Sequence, residues 1–235
     1  MARDRPLWLY EELLLLALDD AKGTPAFGVN AEFALGGALL ADLLMARRLR
    51  ADGEGRKARL QLVERRPLDD GLLDECLERV RAARRPADLA TWVTRFARLP
   101  RLRRRASEGL VRRGILRREE GRVLLLFPRT TFPERDPRPE RSIVRRLRHA
   151  ITRATVRPDP RTTVLISLAG KTGLLRRVFR TREQRAELKR CKRRLAAVVA
   201  GELTGRATGQ AVEAMNAAIV VACAVPAVVA SSSTH

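Results

Sequence analysis

Gly170, Lys171 and Thr172 follow the apolar run Val164–Ala169. That is the order in which a phosphate-binding loop ends: a lysine to reach the phosphates and a hydroxyl to hold magnesium. The first glycine of such a loop would stand at position 165, which is Leu165. The residues between, Ile166–Ala169, are mostly bulky and apolar. They cannot form the open nest of backbone N–H groups that cradles phosphate. Leu165, Leu168, Thr172, Leu175 and Phe179 fall near one helical face. The spacing therefore predicts two helical pieces with a break at the glycine, and no nucleotide site.

Other chemistry is equally poorly supplied. Glu11/Glu12, Asp19/Asp20, Asp69/Asp70 and Glu119/Glu120 are adjacent pairs. Neighbours on a helix point about 100° apart, so such pairs do not converge on one site. The two Asp pairs read as turn and cap residues. Cys76, Cys191 and Cys223 are widely separated, with no Cys-x-x-Cys, and neither His149 nor His235 is near a cysteine. A zinc site or disulfide framework is not expected, and a reducing, cytoplasmic setting fits. No Gly-x-Ser-x-Gly or His-Glu-x-x-His occurs. The reading is a non-enzyme with no catalytic residues, no metal and no cofactor.

The elements that must position any binding residues are mostly helical. Helices are expected over Trp8–Leu18, Ala31–Arg47, Leu72–Ala83, Pro86–Phe96 and Leu99–Arg113, and from Glu140, Arg161, Thr181 and Ala211. The first is expected to be amphipathic, because Glu11 and Glu12 precede its leucines and Asp19–Asp20 close it. Arg48–Val63 reads as one hairpin. Ile115–Phe127 reads as a second, centred on Glu119–Gly121, and Thr131–Pro139 as a proline-rich loop. Ala214–Ala230 is apolar but interrupted by Asn216 and Pro226, and is expected to be a core helix rather than a membrane anchor. The fold class is mainly α: a single globular multi-helix domain with short β-hairpins. Its expected limits are residues 7–230, between flexible ends at 1–6 and 231–235.

Charge points to the partner. The 235 residues carry 48 Lys+Arg against 27 Asp+Glu, a formal net charge of +21, and only five of the bases are lysine. Such an excess favours nucleic acid or an anionic membrane face. On the Leu99–Arg113 helix, Leu99, Leu102, Ala106 and Leu110 share one face and Arg103 stands at its edge. There Arg103 either donates to a bound phosphate or runs along the core boundary and pairs with a carboxylate. Arg104, Arg105, Arg112 and Arg113 read as a solvated basic face. Trp8 is expected to pack on the core.

The segments Glu11–Asp20, Ala38–Leu49, Gly109–Leu116, Val123–Phe127, Val164–Ala169 and Val212–Ala222 resemble, in order and spacing, those of the Golgi phosphoprotein 3 family. The resemblance runs from about residue 7 to residue 230. It implies a mostly helical domain docking peripherally on membranes. Eukaryotic members recognise phosphatidylinositol 4-phosphate and gather the tails of Golgi enzymes. The arginine-rich composition suggests a bacterial member, placed in the cytoplasm on the inner face of the membrane. The family's lipid pocket uses a tryptophan, an arginine nine residues later and an Arg-x-x-Arg pair. These positions correspond here to Phe27, Gly36, Pro100 and Arg103, with Arg101 beside the missing partner. Two of the four depart from the family pattern. The expectation that carries over is anionic phospholipid headgroup binding in general, through Phe27, Arg101, Arg103 and Arg104. Membrane-protein tails are a further expected partner, and the 115–127 hairpin is where the family self-associates.

One alternative is a winged-helix DNA binder, because a basic helix followed by a hairpin is that motif's order. Scarce aromatics, 4% of residues, argue against single-strand stacking platforms. An adaptor that recruits proteins without binding lipid is the third class.

Overall fold

The computed structural model describes residues 5–18, 31–53, 58–123 and 127–200. The expected helix from Ala211, the apolar run Ala214–Ala230, the turn at 20–25 and Leu124–Leu126 lie outside them. Among the described residues there are ten helices and two separate antiparallel strand pairs, so the protein is mainly α with short hairpins.

The centre is α1 (Leu9–Ala17), every residue of which is buried. This corrects the amphipathic expectation. Glu11 and Glu12 are not a solvent face; both are buried and matched by arginines from distant elements. Around α1 pack α2 (Ala31–Met45), α5 (Leu102–Arg112), α6 (Arg138–Thr152) and α7 (Pro160–Lys171). The leucines of α1 and α2, Val164–Leu168 of α7, and Trp92 and Phe96 of α4 (Leu89–Ala97) form one continuous core.

Local chemistry sets the boundaries. Asp70 caps α3 (Gly71–Arg81), accepting the N–H groups of Leu72 and Leu73 at 3.2 Å, a role read from its sequence position. Asp88 caps α4, accepting the Thr91 N–H at 2.7 Å. That helix begins at Leu89, not Pro86, because residues 86–88 run extended and Asp88 bridges to Arg59. Likewise α5 begins at Leu102, not Leu99, because Arg101 adopts the left-handed conformation, φ 54°.

Strands β1 (Leu49–Asp52) and β2 (Arg59–Leu62) pair Leu49 with Leu62, as the first hairpin reading expects. The second hairpin differs. Strands β3 (Glu119–Val123) and β4 (Phe127–Thr131) pair Glu119 with Thr131 and Gly121 with Arg129. Gly121 is therefore mid-strand, and the chain reverses between Val123 and Phe127. Phe127, Thr130 and Thr131 favour extended structure, so the hairpin runs on past Phe127 and takes in Thr131, the first residue of the expected loop.

Residues Val164–Ala169 are buried within α7. The Thr172 hydroxyl donates to the Leu168 carbonyl at 2.7 Å, and Gly173 turns the chain at φ 75°. Gly170-Lys171-Thr172 thus ends a helix, with no strand before it. The short α8 (Leu175–Val178), then α9 (Arg182–Arg190) and α10 (Lys192–Val199), complete the described chain.

Candidate functional site

Of the predicted binding residues, Arg101 and Arg103 lie at the corner where α4 turns into α5, and Arg103 reaches the start of α2. Phe27 lies outside the described residues. Arg101 is exposed at the head of α5, in a left-handed conformation that only a few per cent of non-glycine residues adopt. No carboxylate pairs with it among the described residues. Arg103, about half exposed, meets Glu32 in the first turn of α2, Nε to Oε1 2.7 Å. Arg104 turns away and pairs with Glu108 one turn along α5 at 2.8 Å. The corner therefore brings Arg101 and Arg103 to one side and sends Arg104 to another.

Arg98, which sequence reasoning missed, closes α4 on the same corner. It is exposed and has no carboxylate partner among the described residues. Its three-residue spacing from Arg101 was the available signal. Arg98 and Arg101 are two guanidinium groups with unused donor forks, suited to phosphate oxygens.

Gly36 shows why an arginine is missing from its position. A Cβ there would lie 2.6 Å from the Val93 carbonyl oxygen and 2.8 Å from the Ala97 nitrogen. The glycine lets α2 and α4 touch backbone to backbone, so any side chain would drive the helices apart. Position 36 therefore has no room for a side chain of any size.

The expected basic face on α5 is also thinner than its sequence suggests. Arg105 pairs with Glu75 at 2.6 Å. Arg113 is buried, 7% exposed, against Glu11 at 2.9 Å, and also donates to the Arg5 carbonyl. Burial of Arg113 corrects its reading as solvated. The structure also places Trp8 half-buried against the core, with the Arg5 guanidinium 5.1 Å from its ring centre.

Beneath the corner, Asp42 of α2 caps the central helix. Its carboxylate accepts the Leu9 and Tyr10 N–H groups at 2.8 and 3.1 Å. Burial pushes this carboxyl up to about 7; Arg161 and the two N–H groups oppose the rise and Glu12 adds to it. Arg161 lies 3.4 Å from Glu12 and 3.7 Å from Asp42. This network is structural: it anchors α1 against α2.

The profile of Golgi phosphoprotein 3 (GPP34) matches residues 9–215. The chain belongs to the Golgi phosphoprotein 3 family. Among the curated relatives of this Golgi phosphoprotein 3-type chain is Vacuolar protein sorting-associated protein 74 of Eremothecium gossypii. It is 28% identical over 164 residues, covering 62% of this chain and 49% of the relative. The match thus spans about half the length of that protein. Among the described residues of this family member, no helix is long and apolar enough to cross a membrane.

Proposed function

We propose that this protein is a non-catalytic, peripheral membrane module that binds anionic phospholipid headgroups, of the phosphatidylinositol 4-phosphate kind, through the α4–α5 corner. From there it gathers the tails of membrane proteins at the cytoplasmic face. The observation that carries this reading is the pair of exposed arginines, Arg98 and Arg101, at the α4–α5 corner, with no carboxylate partner among the described residues. Arg103, held by Glu32, borders the pair. Closure at Gly36 favours a shallow, electrostatic site over a deep one selective for a single lipid.

The winged-helix reading loses its recognition face. Arg103, Arg104, Arg105 and Arg113 of the basic helix and its cap are each bound to a glutamate, so few are free for a major groove.

Co-sedimentation with vesicles containing phosphatidylinositol 4-phosphate, phosphatidylserine or neutral lipid alone tests the proposal. Both acidic vesicles should retain the protein and neutral ones should not. Each basic side chain near an anionic surface contributes about 1 kcal/mol, so R98A/R101A should weaken retention roughly thirtyfold. Failure of acidic vesicles to retain the protein, with duplex DNA binding it instead, overturns the reading.

A further inference from the structure

A cavity lies away from the corner. It is an open groove of about 850 Å³ between α6 and the segment from Val178 into α9. Three arginines of α6, Arg141, Arg145 and Arg148, line it at four- and three-residue spacing, so they form a row on one face. None has a carboxylate partner among the described residues. That contrasts with α3 and α5, where Arg79, Arg81, Arg104 and Arg105 are each matched to a glutamate. Arg148 lies over the Phe179 ring, 5.8 Å from its centre, which orients it without neutralising it. Partly exposed Val144 supplies an apolar floor, with Val178 buried beneath it.

We infer that this groove docks an acidic peptide segment of a partner protein, with carboxylates on the arginine row and an aliphatic side chain on the valine floor. Shape and charge select this occupant. The row from Arg141 to Arg148 rises about 10 Å along α6, longer than one phosphate and matched by a few extended residues. Arg141 and Arg145 stand about 6 Å apart along the axis, and Arg145 and Arg148 about 4.5 Å. Alternate carboxylates of an extended chain recur at about 6.7 Å, close to the first interval. Because the site is concave, a flat bilayer cannot reach its floor. Glu134 and Glu187 also line the groove and would repel a continuous polyphosphate, while a peptide can place an uncharged residue there. The inference stands independently of the headgroup proposal, since none of the corner residues lines the groove.

Fluorescence anisotropy with a labelled peptide of alternating glutamate and leucine tests it, against a peptide of alternating glutamine and leucine. The glutamate peptide should bind the full chain and the glutamine peptide should not. R141E/R145E should lose about tenfold or more in affinity, the scale of one charge-assisted contact, while melting temperature and retention on acidic vesicles stay unchanged. R84E/R85E makes the same charge change on two exposed arginines outside the groove, and should bind as the parent does. Equal binding of the glutamine peptide, undiminished binding by R141E/R145E, equal loss in R84E/R85E, or displacement of the peptide by acidic vesicles each overturns the inference.

Discussion

Single atoms decide more here than composition does. Gly36 has no room for a Cβ, whereas Gly109 of α5 meets only the flexible end of Arg112, at 3.8 Å. Gly36→Ala should therefore destabilise by about 1–3 kcal/mol through overpacking. Gly109→Ala should stabilise by about 0.5–1 kcal/mol, the usual helical gain. Urea unfolding of both variants checks the opposite signs; a neutral Gly36→Ala would refute the tight crossing. Asp42 makes a prediction in pH. Its carboxyl sits at about 7 against an ordinary 3.8, so between those values the folded chain holds a proton that the unfolded chain has released. Its contribution is then full below the lower value, declines as pH rises and levels off above about 7. The stability difference between the parent and D42N should fall with pH by up to about 1.4 kcal/mol per unit across that window. A difference that is flat in pH would show that the carboxyl is not perturbed.

At the scale of elements, helices are held by ion pairs whose partners are far apart in the chain. Arg113 reaches α1 at Glu11, with both side chains under a tenth exposed. Arg113→Ala leaves that buried carboxylate with the Arg5 guanidinium and the Trp8 N–H and should cost about 3 kcal/mol, the lower end for breaking a buried pair. Arg104→Ala, from an exposed pair one turn apart on α5, should cost under about 0.5 kcal/mol. Thermal unfolding separates the two; similar losses would mean that Glu11 is not screened from solvent. The same distinction explains what sequence reading could reach. Caps such as Asp70, and the apolar period of α2 through α5, are local and were legible. The burial of α1 was not, because Arg113, Arg146 and Arg161, which neutralise its glutamates, lie a hundred or more residues away. The β3–β4 register was missed because Gly121 looks like a turn, while Thr130 and Thr131 form the strand that pairs across from it. Within the candidate site, Arg103 could be read from helical spacing, and Arg101 from the family resemblance. The left-handed turn that frees Arg101 and the crossing at Gly36 could not.

For the whole molecule, the formal charge of +21 overstates what is available to a partner, since many arginines are matched within the fold. Among the described residues, two groups of arginines without a carboxylate partner stand out: Arg98 and Arg101 at one corner, and the α6 row in the groove. Binding through exposed charges is screened beyond a Debye length of about 8 Å at physiological ionic strength. Retention on acidic vesicles should accordingly decline steeply as salt rises, and titration with sodium chloride checks it. Retention indifferent to salt would point to apolar insertion instead.

The central helix also dictates an order of events during synthesis. Nine residues are too few to hold a helix in water unaided. This one draws its cap from Asp42 and its counter-charges from Arg113, Arg146 and Arg161. At usual translation speeds roughly ten to thirty seconds separate the appearance of Leu9 from that of Arg161. Throughout that interval four consecutive leucines, Leu13–Leu16, have no finished niche to enter, so a nascent-chain chaperone is the natural shelter for them.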